Sequence, residues 1–108
     1  MLIEHRIYTT RTEATRAFVN AYRDEGLPVQ MPIFGAPLAF FTTEVGPLEQ
    51  VLLIWTFTDF ADRKAKRAAL SAVPEWTAFL GRAAPMVHHH ESRLMTSVIP
   101  LGLPDAQP

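Results

Sequence analysis

The stretch TTEVGPLEQVLLIWTFTDF, Thr42 to Phe60, decides the fold. Val45-Gly46-Pro47 reads as a turn between two strand-like segments. Upstream, Leu38 to Glu44 is rich in aromatic and β-branched residues. Downstream, Glu49 to Phe57 holds the most apolar run of the chain, Val51-Leu52-Leu53-Ile54-Trp55. Thr58 or Asp59 then reads as a helix N-cap. One window therefore contains a hairpin and the strand-to-helix crossover after it. The apolar run is apolar on both faces, so both faces of its sheet need a cover. Two or three helices supply one cover, and a second subunit is expected to supply the other.

Working outward, Leu2 to Thr9 alternates as a first strand. Ile3, His5, Ile7 and Thr9 form the row expected to face the core, and Glu4, Arg6 and Tyr8 form the opposite, polar row. Thr10 and Glu13 have capping-box spacing, with Thr12 as the alternative cap. Ala14, Ala17, Phe18, Ala21, Tyr22 and Glu25 follow at helical spacing, and Gly26 and Pro28 are expected to interrupt that helix. In the helix after Asp59, Ala65, Ala68, Ala69 and Leu70 are expected inside. Arg63, Lys64, Lys66 and Arg67 are expected to form a solvated face. Pro74-Glu75-Trp76 opens a short third helix, which Gly81 to Pro85 ends. Met86 to Ile99 is a fourth strand.

The order is β-α-β-β-α-(α)-β. It predicts an α+β, ferredoxin-like domain with a four-stranded antiparallel sheet and helices on one face. Residues 1–100 form the expected single domain and residues 101–108 a Pro-rich tail. The charges are mixed and sum to −1, which argues against nucleic acid and anionic membrane surfaces. No cysteine is present, so disulfides, thiolate metal sites and cysteine nucleophiles are excluded. No apolar run reaches the ~20 residues of a membrane span, and the first residues lack a signal-peptide pattern. A cytoplasmic location is expected.

The chain resembles the NIPSNAP-domain family of the dimeric α+β barrel group. The resemblance rests on E-x-R-x-Y at Glu4, Arg6 and Tyr8, EGLP at Glu25 to Pro28, and FFTTEVGPLEQV with Trp55 beyond it. It continues through AALSAVPEWTAFL, residues 68–80, and E-x-R at Glu91 and Arg93. It implies a ferredoxin-like protomer that pairs sheet to sheet into a barrel-like homodimer. Reactions in the wider group are diverse and include cofactor-independent monooxygenases and isomerases, so the fold alone sets no reaction. This chain has Leu53 where similar proteins often have His, and Thr56 where they often have a basic residue.

Three constellations could carry chemistry. Glu4, Arg6 and Tyr8 could meet Glu91 and Arg93 on a neighbouring strand. Arg would fork a carboxylate and Tyr or Glu would move a proton. The alternative is structural, with Glu4–Arg93 and Arg6–Glu91 as cross-strand ion pairs. His88 and His90 share a face and could contact a metal, but no carboxylate completes a set, so no metal or other cofactor is expected. His90 could instead act as a base. Finally, Trp55, Tyr22, Trp76 and Phe79 among other aromatics could line a hydrophobic pocket or fill the core. The ligand-pocket candidates are therefore Glu4, Arg6, Tyr8, Trp55, His90, Glu91 and Arg93. The expected function is a small homodimer binding a hydrophobic or aromatic ligand between sheet and helices. The alternatives are a structural module whose charged strand residues stabilise the dimer, and a cofactor-independent monooxygenase or isomerase.

Overall fold

In the computed structural model, residues 1–102 are described. The expected tail falls largely outside them. Strand β1 (Leu2–Thr10) leads into α1 (Thr15–Ala21), a π-helical turn (Tyr22–Gly26) and α2 (Leu27–Phe34). Then come β2 (Ala39–Thr42), β3 (Gln50–Phe57), α3 (Phe60–Ser71), α4 (Pro74–Ala83), a short turn and β4 (Val87–Thr96). The sheet order is β2-β3-β1-β4 with every pair antiparallel, the ferredoxin-like arrangement. No helix among the described residues is long and apolar enough to cross a membrane.

The alternation along β3 is strict. Val51, Leu53, Trp55 and Phe57 are buried against the helices, while Leu52, Ile54 and Thr56 lie half-exposed on the other face. Phe34 on α2 packs edge-on against Trp55 and Phe57, with ring centroids 5.1 and 5.5 Å apart. The open face carries Ile3, Ile7, Leu52 and Ile54, with Phe41 and Met95 largely exposed beside them.

The register corrects the reading of β1. Glu4 lies opposite Trp55, Arg6 opposite Leu53 and Tyr8 opposite Val51, so the polar row faces the helices. Ile3, His5, Ile7 and Thr9 face the open side instead. Strand α-carbons alternate faces, and a shift of one residue inverts the whole set. The polar row can lie inside because α3 meets it with a charge. Arg63 reaches Glu4, and Lys66 lies over the Phe57 ring at 5.7 Å. The basic run is thus not a uniformly solvated face: Ala65, Ala68 and Ala69 are exposed and Leu70 is buried. The start of α3 follows expectation. Asp59 accepts from the Asp62 amide at 2.8 Å, and Asp62 accepts from the Thr58 amide at 2.9 Å, a reciprocal cap.

The first helix departs from expectation at both ends. Thr10 does not cap it; its hydroxyl bonds that of Thr15 at 2.7 Å and donates to the Glu49 carbonyl at 3.2 Å. The interruption expected at Gly26 and Pro28 takes the form of a change from π-helical to α-helical turns, not a break. Pro28 sits at the start of α2, where a missing N–H costs little, and the chain passes through the π turn without leaving helical backbone. Gly35, at φ +80°, ends the helical segment. Gly26 has a packing role: a Cβ there would lie 2.8 Å from the Phe79 ring. Glu25 beside it accepts from Arg82 of α4 at 2.7 Å. The EGLP and PEWTAFL segments thereby lock α4 onto the first helix.

We expect Gly26→Ala to destabilise the domain by about 1–3 kcal/mol through this collision. Urea denaturation checks it, and an unchanged midpoint would show that α4 yields without cost.

Candidate functional site

The buried polar row and the helices above it enclose a cavity of about 340 Å³. That is within the size range of small-molecule sites. Arg6 and Tyr8 line it from the sheet, Tyr22 from the π turn, Trp76 and Phe79 from α4, and Arg67 from α3. His88, His89 and His90 stand at its exposed edge on β4. The register of β4 against β1 slips between Thr9 and Thr10, where Val87 rather than His88 pairs with Thr10. His90, opposite Tyr8, lies on the cavity side of the sheet, while His89, opposite Thr9, borders the cavity beside the slip.

Beneath the cavity Glu4 is fully buried. Arg63 grips it from α3 with two bonds of 3.1 and 3.2 Å, and Arg6 adds one of 3.2 Å. Arg6 also donates to the Ser92 hydroxyl and, through Nε, to the Tyr8 hydroxyl, each at 2.9 Å. Burial pushes the Glu4 carboxyl upward. The hydrogen bond from Arg63 and the charges of Arg6 and Arg63 together outweigh it, so the group stays below its ordinary 4.5. Arg6 is likewise held charged: burial opposes the charge, but the Tyr8 phenol and Glu4 outweigh it. Tyr22 donates to Gln30 Oε1 at 2.5 Å. Its burial, reinforced by the neighbouring Tyr8, pushes the Tyr22 phenol well above its usual range, so it is a neutral donor at physiological pH.

The structure divides the residues singled out in the sequence. Arg6, Tyr8 and His90 converge on the cavity, and Glu4 supports them from below. Tyr8 and His90 are register partners with ring centroids 6.3 Å apart. Glu91 and Arg93 lie opposite Ile7 and His5, on the open face. The expected Glu4–Arg93 and Arg6–Glu91 pairs do not form; Arg93 instead bonds Glu91 at 3.2 Å in solvent. Trp55 is a core residue outside the cavity lining, with its Nε1 buried and without a partner among the described residues. Among these residues no three His, Asp or Glu side chains gather as a metal-ligand set, so His88 and His90 stand without a completing carboxylate. Leu53 is buried in the core and Thr56 lies on the open face. Sequence reasoning misses Arg63, which turns to Glu4, and the part of Arg67, which is exposed as expected yet lines the cavity. Their spacing of four, with Leu70 three further on, is the helical signal that could have found them.

The fold and cavity define a ferredoxin-like α+β domain with a helix-covered aromatic site. The chain belongs to the NIPSNAP family, whose profile matches residues 3–99. It is similar to a solved NIPSNAP family protein of Agrobacterium tumefaciens strain C58. The two share 29% identity over 98% of each chain, with a TM-score of 0.84. An uncharacterised NIPSNAP domain protein of Burkholderia xenovorans shares 32% identity over 97% of this chain and 100% of its own, with a TM-score of 0.85. An antibiotic biosynthesis monooxygenase shares the fold at 19% identity and a TM-score of 0.63, covering 92% of this chain and 100% of its own. No curated protein matches the chain.

Two outcomes follow from the Glu4 cluster. Arg63→Ala leaves a fully buried carboxylate with one guanidinium and is expected to cost about 3 kcal/mol, while Arg23→Ala, which breaks only the exposed pair with Asp24, costs far less. Equal losses in chemical denaturation would contradict the assignment of Arg63. Secondly, Glu4 has a depressed folded-state pKa, so its contribution is present above its unfolded value near 4.5 and is lost as pH falls through the lower folded value. Wild-type stability should drop across that acid window, and Glu4→Gln should flatten the drop.

Proposed function

We propose that this NIPSNAP domain is a homodimer that binds a small hydrophobic or aromatic molecule in the cavity between sheet and helices. The observation that carries the reading is the lining itself. An apolar aromatic wall (Phe18, Trp76, Phe79) surrounds a few polar groups held in place by buried hydrogen bonds. Binding sites combine a mostly apolar surface with sparse, oriented polar groups in this way. Arg6 cannot swing away, because Glu4, Ser92 and Tyr8 fix its guanidinium. The π turn at Tyr22–Gly26 adjoins the cavity, and such turns recur at functional sites.

The open face supports the dimer. Ile3, Ile7, Leu52, Ile54, Phe41 and Met95 form an apolar surface in the middle of a sheet, where a monomer would be expected to place polar groups. His5 lies in it with its Nδ1 unpartnered among the described residues. A second copy applied sheet to sheet would bury this surface.

Binding can be tested with 2-naphthalenemethanol and 2-naphthoate followed by amide NMR. Shifts at Tyr22 and Trp76 are expected, and Ala84→Trp, at the exposed edge of the cavity, should abolish them with little loss of stability. If neither compound perturbs the cavity residues, the binding reading fails. For the dimer, Ile54→Lys should convert a dimeric mass to a monomeric one in sedimentation. A wild-type chain that sediments as a monomer at micromolar concentration would refute the pairing.

A further inference from the structure

The polar groups of the cavity share one property, which bears on the ligand's charge. Arg6, Arg67, Tyr8, Tyr22 and the three histidines can all donate hydrogen bonds. Among the described residues, no Asp or Glu lines the cavity. The one carboxylate beneath it, Glu4, is already shared by two guanidiniums, Arg6 and Arg63. That cluster therefore carries an excess positive charge. Arg67 adds a second, since it makes no ion pair among the described residues.

The hydrogen-bond directions agree with the charge. Tyr8 accepts from Arg6 Nε–H and lies beside the Tyr22 hydroxyl, so its own proton can turn to Tyr22 or to a guest. Tyr22, by contrast, spends its proton on Gln30. Arg6 uses Nε and Nη1 on Tyr8, Glu4 and Ser92, and its Nη2 makes no bond among the described residues. A donor-rich cavity with two guanidiniums, and with no carboxylate among the described residues that line it, suits a guest whose polar end is an anion, because Arg recognises a carboxylate through a planar fork. The aromatic wall suits a flat apolar body attached to it.

Resting on the binding reading above, we infer that the ligand is a small aromatic or similarly flat apolar molecule bearing one carboxylate-type anionic group, received by Arg67, Arg6 and the Tyr8 hydroxyl. Neutral molecules of the same shape bind through the wall alone. Cationic ones are rejected, since each guanidinium opposes them and no carboxylate among the described residues lines the cavity.

The test uses three probes of one shape, namely 2-naphthoate, 2-naphthalenemethanol and 2-naphthylmethylammonium, titrated calorimetrically into the full chain. The naphthoate is expected to bind at least about tenfold tighter than the alcohol, as one charge-assisted hydrogen bond supplies, with the ammonium weakest. Arg67→Gln should cut the naphthoate affinity toward that of the alcohol and leave the alcohol unchanged. Raising salt should weaken only the naphthoate. If naphthoate and alcohol bind equally, or the ammonium binds best, the anionic ligand is overturned while the cavity remains a binding site. If Arg67→Gln leaves the preference intact, the role of Arg67 is overturned. If none of the three binds, the inference falls together with the binding reading.

Discussion

A carboxylate with no access to water, Glu4, gripped by Arg63 from a helix and by Arg6 from its own strand, is the constraint on which the structure depends. Moving an ion out of water costs several kcal/mol, and only close opposite charge and good hydrogen bonds offset it. The two guanidiniums meet that condition while keeping some hydration, their side chains being 17% and 23% exposed. Such a cluster adds little net stability over a well-packed apolar one. Its effect is to specify. A one-residue slip of β1 would turn Glu4 out and leave Arg63 facing Ile3 or His5, so one arrangement is kept and the other is penalised.

From that choice the site follows by strand geometry. With Glu4 inward, Arg6 and Tyr8 are inward as well, at the two-residue period. Glu4 then holds Arg6 and Arg6 holds Tyr8, a chain of bonds leading from the buried carboxylate to the cavity surface. The helices complete the enclosure. Gly26 lets Phe79 approach the first helix, and Phe79 stands edge-on to Tyr22 at 5.3 Å. The same choice turns Ile3 and Ile7 outward, which makes the open face of the sheet apolar. A polar interior site and an apolar exterior surface are two consequences of one register.

The element order was legible because its signals are local. The turn at Gly46, the Asp59 cap and the continuous apolar run of β3 each lie within a few residues. The orientation of β1 was not, because both of its rows are acceptable by pattern and the deciding partner, Arg63, is 59 positions away. Helix α3 misled for a related reason. Hydropathy places alanines inside and Arg or Lys outside, whereas here Arg63 and Lys66 reach the sheet and the alanines face water. Gly26 and Pro28 resembled helix breakers because spacing alone cannot reveal Phe79. Within the site, Arg6, Tyr8 and His90 could be named from spacing. Excluding Glu91 and Arg93 takes the register of β4, and Tyr22 and Trp76 have the pattern of core residues although a cavity lies beside them.

A double-mutant cycle between Glu4 and Arg63 addresses the central claim most directly. Glu4→Gln, Arg63→Met and the double variant are compared with wild type by urea denaturation at neutral pH. The two residues should be coupled by at least about 2 kcal/mol, with the double variant much more stable than the sum of the single losses implies. Losses that add to within about 0.5 kcal/mol would show that Glu4 and Arg63 act independently and that another interaction sets the face of β1.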